Sequence, residues 1–212
     1  TRGTSAVRGG SGWDIRTIHV ERDPAAANAA ILEDLEGGVN SIALQMGGPG
    51  LPISKEALET ALAGVLLDVC PVALIAGENA FDAALALNAV WAARVIPDDT
   101  RSGSFGADPF GTLAITGRLA EPLDTVMARA VALVKTTMSM PHVTALSADG
   151  VAYHVAGASE AQELAVVLAT FVAYLRACER AGIPPADATP RISVALAADA
   201  DQFSTIAKLR AA

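Results

Sequence analysis

The residues with the most evident chemistry are Tyr153 and His154, which follow a predicted strand and precede a long predicted helix. In an α/β protein, that position lies at the ligand-facing end of the sheet. An imidazole there could serve as an acid, a base or a hydrogen-bond donor. A single histidine without an identified partner is also often structural, and that alternative stays open. We predict Tyr153 and His154 as substrate-binding residues.

The other polar candidates have plainer interpretations. Asp199 and Asp201 follow the last predicted strand and could be acid–base groups or metal ligands, but an aspartate at a helix start is ordinarily a cap. Asp108 precedes a proline, which is typical of a turn. The glycines at 47–50 follow a strand but lack a phosphate-loop pattern, so they predict a plain turn. We therefore predict no catalytic residue and no metal ligand.

Strand-like and helix-like segments alternate along the chain. Short apolar runs predict strands at 41–46, 71–76, 113–116, 142–147 and 191–198, and residues 97–111 are predicted as a loop. Caps and apolar periodicity predict helices at 24–36, from 54 to about 66, at 81–95, 123–138 and 157–181, and from 201 onward. The alternation predicts about five βα units, with parallel strands covered by helices.

Two α/β architectures fit this alternation: an open doubly wound sheet and a (β/α) barrel. A full barrel needs eight units, so five of them would form only part of one. The first twenty residues have no clear period, and residues 9–12 predict a flexible lead. The predicted organisation is an extended N-terminal lead at 1–22 and one domain at 23–212.

Composition excludes several classes of protein. The 212 residues carry a net charge of −8, so the chain lacks the basic surface that nucleic-acid binding requires. The apolar stretch at 164–175 is short for a bilayer, so we expect no membrane association. Cys70 and Cys178 lie in apolar runs and predict buried free thiols, which suits a cytoplasmic protein.

Four segments together resemble the N-terminal barrel of methylmalonyl-CoA mutases, in order and in spacing. They read WDIR at 13–16, AILEDLEGGVNS at 30–41, YHVAGA at 153–158 with ELA at 163–165, and DQFSTIAKLRAA at 201–212. The resemblance implies an α/β fold of the parallel TIM-barrel type, present here as a partial barrel of about five βα units. It also implies a role in the adenosylcobalamin-dependent isomerisation of methylmalonyl-CoA and succinyl-CoA.

Mutases of this family have a catalytic chain, which carries Gly-Tyr-His before the long helix, and a small non-catalytic β subunit. Alignment on AGA at 156–158 places Gly150, Val151 and Ala152 on that motif, so its tyrosine and histidine are missing. The family's TIQND stretch is similarly replaced by residues 106–111. The resemblance therefore implies a small-subunit barrel that pairs with a catalytic subunit in a heterodimer, with acyl-CoA bound at the level of the complex.

The family binds cobalamin through an Asp-x-His-x-x-Gly motif on a separate domain, and this sequence contains no such motif. The resemblance therefore implies that this chain alone binds no cofactor, and that adenosylcobalamin belongs to the assembled enzyme. Two alternatives remain at this stage. One is a catalytic acyl-CoA mutase of variant specificity that uses His154 as a donor, and the other is an unrelated α/β small-molecule binder.

Overall fold

The computed structural model describes residues 13–212, so the predicted flexible lead at 9–12 lies outside it. Six strands form one sheet, and all of their pairings are parallel. The strands are β1 (Arg16–His19), β2 (Ser41–Gln45), β3 (Val72–Ile75), β4 (Ser102–Ala107), β5 (His142–Asp149) and β6 (Ile192–Ala195).

Helices follow every strand. They are α1 (Pro24–Glu36), α2 (Lys55–Ala61), α3 (Ala80–Ala93), α4 (Pro109–Thr116), α5 (Leu123–Thr136), α6 (Val151–Val155), α7 (Glu160–Arg180), α8 (Pro185–Ala188) and α9 (Gln202–Ala211). Short 3-10 turns lie at Gly77–Asn79, Thr137–Ser139 and Thr189–Arg191. The predicted caps are confirmed: Asp23 accepts hydrogen bonds at the start of α1, Ser159 and Gln162 form a capping box on α7, and Asp201 caps α9.

The strands lie in the order β1-β2-β3-β4-β5-β6, so every strand pairs with its neighbour in the chain. A doubly wound sheet reverses its strand order at a switch point, and the described sheet has no reversal. A strand order that continues in one direction without reversal is typical of the wall of a (β/α) barrel. The partial-barrel prediction is therefore confirmed, with six strand–helix units rather than about five. Within residues 13–212, β1 and β6 do not pair and the wall stays open.

Several elements differ from the sequence-based expectations, among them the short helices α6 and α8, which the sequence did not predict. β1 lies in the segment that has no clear period, and β4 lies in the predicted loop at 97–111. The weak strand predicted at 113–116 is instead the second half of α4, because Asp108 caps that helix and Pro109 occupies its first turn. β4 escapes detection because its sequence is SGSFGA, in which glycine and serine outnumber apolar residues.

The hydrophobic core lies between the sheet and its helices, and the largest buried side chains include Trp91, Tyr174 and Phe105. Both cysteines are buried and free, as predicted, and burial raises the pKa of the Cys70 and Cys178 thiols. The turn predicted at 47–50 is confirmed by a hydrogen bond from the Gly50 N–H to the Gly47 carbonyl.

Helix α7 is the one helix in residues 13–212 that is long and apolar enough to cross a membrane, with a mean hydropathy of 1.4 over its most apolar window. The apolar stretch at 164–175 is therefore only the middle part of a longer apolar helix. In the structure α7 packs on β5 and β6 and against α5, which is the position of a barrel helix. About a third of the apolar window is buried in the described chain.

Candidate functional site

A cavity of about 540 Å³ runs along the concave face of the sheet. The inside of an ordinary (β/α) barrel is filled by bulky branched side chains. Here many of the lining strand residues are small, which leaves the space open. They include Ala43, Ala73, Gly103, Ser104, Gly106, Thr144, Ser147, Ser193 and Ala195.

Asp108 stands at the carboxyl end of β4 and lines this cavity. Its carboxyl accepts hydrogen bonds from the Tyr174 hydroxyl, from the Gly111 N–H at 2.9 Å and from the Asp149 N–H at 3.3 Å. Burial raises the pKa of the Asp108 carboxyl, and these hydrogen bonds only partly oppose that rise. Burial and the nearby Asp108 charge also raise the pKa of Tyr174, which is fully buried on α7. The arrangement joins α4, β5 and α7 through one carboxyl group.

Gly150 precedes helix α6, and Val151 and Ala152 begin it; the resemblance aligns these three residues with the family's Gly-Tyr-His motif. Asp149, at the end of β5, caps α6 by accepting the Val151 N–H at 2.8 Å. The cavity is lined by Ala152, which therefore presents a methyl group at the place that the resemblance gives to the catalytic histidine. Tyr153 and His154, the next two residues of the chain, are partly buried and do not belong to the lining of this cavity. Their assignment as substrate-binding residues stays a prediction.

His154 instead belongs to a charged cluster around Glu163, a fully buried residue of α7. One carboxylate oxygen of Glu163 accepts the Ala197 N–H at 2.7 Å, and the other lies 2.6 Å from Lys208 Nζ and 3.1 Å from His154 Nδ1. Because an ionised carboxylate only accepts hydrogen bonds, His154 Nδ1 carries a proton in this arrangement. We call Glu160, Glu163, His154, Asp199 and Lys208 the Glu163 cluster.

Electrostatics keep the Glu163 cluster charged. Burial alone would raise the pKa of the Glu163 carboxyl, but the hydrogen bonds from Lys208 and from the Ala197 N–H, with the charges of Lys208 and His154, lower it below its ordinary value. Burial likewise opposes the charged form of Lys208, whereas Glu160 and Glu163 raise its pKa overall. Lys208 is only 3% exposed, so its ammonium group is the internal counter-ion of this cluster.

Three members of the cluster could in principle hold a metal ion, because ligand atoms of His154, Glu160 and Asp199 lie within 4.8 Å of one another. His154 Nε2 is 3.6 Å from the Asp199 carboxylate. The Lys208 ammonium already contacts both glutamates, Glu160 and Glu163, and so supplies positive charge at this place. The arrangement is that of an internal ion-pair network.

The resemblance implies a cobalamin, whose cobalt takes a histidine ligand, and the described histidines do not fit that role. His154 has a carboxylate near each ring nitrogen. His19 ends β1, is buried, and lies 3.6 Å from the Asp34 carboxylate and 3.8 Å from that of Glu21. His142 begins β5, at the end of the sheet opposite to Asp108 and Ala152. None of the three presents a free imidazole at the carboxyl ends of the strands.

Sequence reasoning missed Asp108, Glu163 and Lys208 as members of buried polar clusters. Asp108 offered a usable signal, because Asp-Pro opens α1 at 23–24 in the same way as it opens α4. Glu163 gave a weaker signal, as a charged residue in the first turn of an apolar helix. Lys208 gave none, because its partner is 45 residues away and only the packing of α9 on α7 brings the two together. The prediction of Asp201 as a cap is confirmed.

Comparisons with known proteins point to one family. The family profile described as Methylmalonyl-CoA mutase matches residues 40–212. The methylmalonyl-CoA mutase small subunit of Streptomyces virginiae is 46% identical over 202 residues, which cover 95% of this chain and 32% of that protein. The small subunit of Propionibacterium freudenreichii subsp. shermanii is 36% identical over 213 residues, covering 100% of this chain and 32% of that protein.

The methylmalonyl-CoA mutase large subunit of Streptomyces virginiae is more distant, at 28% identity over 167 residues, which cover 77% of this chain and 20% of that protein. The chain thus spans about a third of the length of the small subunits it matches. The family match overturns the alternative of an unrelated α/β small-molecule binder. The family profile, the similar small subunits and the strand order of the sheet all indicate the same family, and the chain belongs to the methylmalonyl-CoA mutase family.

Proposed function

We propose that this chain is the barrel portion of a small mutase subunit, which supports a catalytic partner subunit and does not itself perform the rearrangement. The observation that carries the proposal is Ala152. Ala152 lines the concave cavity, and the resemblance aligns it with the histidine of the family's catalytic chain. A methyl group can neither donate a hydrogen bond to a thioester carbonyl nor transfer a proton.

The surroundings of Ala152 support the same conclusion. The nearest imidazole in the sequence, that of His154, has carboxylates beside both ring nitrogens. Asp108 and Asp149 are the acidic groups at this end of the cavity. Asp108 accepts a hydrogen bond at the start of α4, and Asp149 accepts one at the start of α6. Two carboxylates at the mouth also disfavour the phosphates of an acyl-CoA. We propose that acyl-CoA binds to the catalytic subunit of the complex, and that the complex is cytoplasmic.

The test uses the full-length polypeptide that contains these residues, produced with and without a mutase large subunit. We expect the two to co-purify as a heterodimer, and we expect methylmalonyl-CoA turnover only when the large subunit is present. Turnover by the full-length small chain alone would contradict the proposal.

The catalytic alternative gives His154 the role of donor to the thioester carbonyl, and its position on α6, two residues after Ala152, is the observation in its favour. A His154→Ala variant, assayed in the complex, separates the two functions. We expect kcat to stay within about twofold of the wild-type complex, because His154 belongs to the Glu163 cluster and does not line the cavity. A drop of a hundredfold or more with an intact complex would favour the catalytic alternative.

We also propose that this chain alone binds no cobalamin and that adenosylcobalamin is bound in the assembled enzyme. Support comes from the three described histidines, each paired with carboxylates or placed at the wrong end of the sheet. Titration of the purified chain with hydroxocobalamin should leave the visible spectrum equal to the sum of the two components. A saturable spectral shift that His154→Ala abolishes would reverse this proposal.

A further inference from the structure

His154 has a carboxylate beside each of its two ring nitrogens, and the two carboxylates belong to different parts of the fold. Nδ1 lies 3.1 Å from the Glu163 carboxylate on α7. Nε2 lies 3.6 Å from the Asp199 carboxylate, in the loop between β6 and α9. The His154 side chain is 21% exposed, so protons can reach it from the solvent. A charge on this imidazole can therefore join α6, which carries it, to the start of α9.

The two contacts depend on protonation in different ways. With its proton on Nδ1, the imidazole donates a hydrogen bond to Glu163 in the neutral and in the charged form. Nε2, in contrast, has a lone pair in the neutral form and an N–H only in the charged form. At 3.6 Å, Nε2 and Asp199 are within ion-pair distance but beyond an ordinary hydrogen bond. Their contact is attractive when His154 is charged, and it brings two electron-rich atoms together when His154 is neutral.

The loop between β6 and α9 is held at two points. The first is the Ala197 N–H, which donates to Glu163 at 2.7 Å and does not involve His154. The second is Asp199, whose Oδ1 atom accepts hydrogen bonds from the Asp201 N–H at 2.9 Å and from the Thr205 hydroxyl at 3.1 Å. Its Oδ2 atom faces His154 and accepts no hydrogen bond within residues 13–212. Only the second point of attachment therefore depends on the charge of His154.

The charged groups that face His154 are the other members of the Glu163 cluster: Glu160 and Glu163 on α7, Asp199 in the loop, and Lys208 on α9. Helix α4, which also packs on α6, has no titratable side chain. Lys208 pairs with the two glutamates. Within the described part of the chain, the ion pair of Asp199 is therefore with His154 alone.

We propose that His154 is a pH-responsive latch that holds the start of α9 against α6. The charged imidazole pairs with Asp199 and closes the latch. Loss of the Nε2 proton removes this attraction, and residues 198–201 loosen while Ala197 stays bound to Glu163. Histidine side chains ordinarily change charge between pH 5 and 8, so the latch opens as the pH rises through that range. Because Ala152 on α6 and Ala195 at the end of β6 both line the concave cavity, the latch connects two parts of the cavity wall.

The test follows amide hydrogen exchange in the full-length polypeptide from pH 5.5 to 8, by mass spectrometry with single-residue resolution and with EDTA in every sample. After correction for the intrinsic pH dependence of exchange, the Asp201 amide should be about threefold less protected at pH 8 than at pH 5.5, the size expected for one partly exposed ion pair. The Ala197 amide should keep its protection. Deuterium exchange at Cε1 of His154 reports its loss of a proton, and the change at Asp201 should have the same midpoint.

Two variants remove the latch from its two sides. His154→Gln removes the titrating group, and Asp199→Asn removes the charge that it faces but keeps an oxygen for the Asp201 N–H. Both should make the protection of the Asp201 amide independent of pH. The matched control is His142→Gln, which changes an exposed histidine at the start of β5 and should keep the wild-type pH dependence.

Constant protection of the Asp201 amide in the wild type across this pH range would overturn the latch. A pH dependence that survives in both variants would overturn it as well. Joint loss of protection at Ala197 and Asp201 would also contradict it, because it would show that α9 detaches as a whole. The latch is independent of the proposed small-subunit function, which co-purification and turnover test separately.

Discussion

Asp108, which is partly buried, and Glu163, which is fully buried, carry carboxyl groups on the two sides of α6, and their pKa values are shifted in opposite directions. Asp108 is held by a hydroxyl and two backbone N–H groups, all neutral, and its pKa lies above the ordinary value. Glu163 is held by an ammonium group, an imidazole and one N–H, and its pKa lies below the ordinary value. Burial raises the pKa at both sites, so the charge of the partner decides the outcome.

The two carboxyl groups stabilise the surroundings of the short helix α6 in two different ways. Around Asp108 the carboxyl organises neutral donors from α4, β5 and α7 at the cavity wall. Around Glu163 an ion pair joins α7 to α9 behind the wall, and Gly150 is needed there because a Cβ would lie 2.7 Å from Cγ of Glu163. The first arrangement tolerates the loss of one donor, whereas the second leaves an unpaired charge when its cation is removed.

The largest expected effect is that of Lys208→Met, which leaves the Glu163 carboxylate buried without its cation. We expect Tm to fall by roughly 10 °C, because an uncompensated buried charge is among the most destabilising changes in a core. Thermal unfolding followed by circular dichroism measures this shift. Lys55→Met is the matched control, since the Lys55–Glu59 pair lies at the surface with side chains 40% and 39% exposed, and its Tm should change by about 1 °C or less.

The double variant Lys208→Met with Glu163→Leu sharpens the same result. Removal of both charges should restore a substantial part of the lost stability, because an apolar pair carries no desolvation cost. A double variant no more stable than Lys208→Met would mean that packing, rather than the unpaired charge, causes the loss.

The pH dependence of stability should have opposite signs at the two sites. The lowered pKa of Glu163 contributes stability above its ordinary value of 4.5, and that contribution is lost as the pH falls through the folded-state pKa. The raised pKa of Asp108 contributes stability below its ordinary value of 3.8, and that contribution is lost as the pH rises through the folded-state pKa.

Relative to the wild type, Glu163→Gln should therefore gain stability as the pH falls, whereas Asp108→Asn should gain stability as the pH rises. Each slope can reach about 1.4 kcal/mol per pH unit when one proton is involved. Urea unfolding at a series of pH values from about 3 to 6 measures both slopes. Slopes of the same sign would refute the contrast between the two carboxyl groups.

A smaller effect is expected for Tyr174→Phe, which removes one neutral donor from Asp108 and leaves the two N–H donors in place. We expect a loss of about 1 kcal/mol in the free energy of unfolding, together with a further rise in the pKa of Asp108. Urea unfolding at neutral pH gives the free energy, and NMR titration of the carboxyl carbon gives the pKa. An unchanged pKa would indicate that the hydroxyl does not stabilise the charged form.

The smallest effect is expected for Tyr153→Phe. Burial and the charge of Asp108 raise the pKa of the Tyr153 hydroxyl, but no hydrogen bond joins that hydroxyl to Asp108 among the described residues. The free energy of unfolding should stay within about 0.5 kcal/mol of the wild-type value. A loss as large as that of Tyr174→Phe would place Tyr153 among the donors that hold Asp108.

The barrel wall was predictable where periodicity and caps were strong, and it was not where backbone contact replaced side-chain packing. α1 and α7 followed from Asp23-Pro24 and from the Ser159 capping box. β4 did not, because Gly103 is in contact with β3: a Cβ there would lie 1.8 Å from the Val72 carbonyl oxygen. Strand propensities rate glycine as unfavourable, although this strand requires a glycine at position 103.

The site was predictable only as a location. The sequence placed Tyr153 and His154 at the carboxyl end of β5, and the structure places them there, on α6. Which charges meet His154 depends on the docking of α9, since Asp199 and Lys208 are far away in the chain. Local pattern carries no information about a contact that tertiary packing creates.

The strand order also bears on how the chain is made. Every strand pairs with the one synthesised just before it, so the sheet can grow in step with translation. The loops to be closed lengthen along the way, from Arg16 paired with Ser41 to Leu146 paired with Ile192. Longer loops close more slowly, so among the pairings of the described sheet that of β5 with β6 leaves a strand edge exposed to solvent for longest. A ribosome that pauses before residue 192 would therefore hold the nascent chain in its most aggregation-prone and chaperone-dependent state.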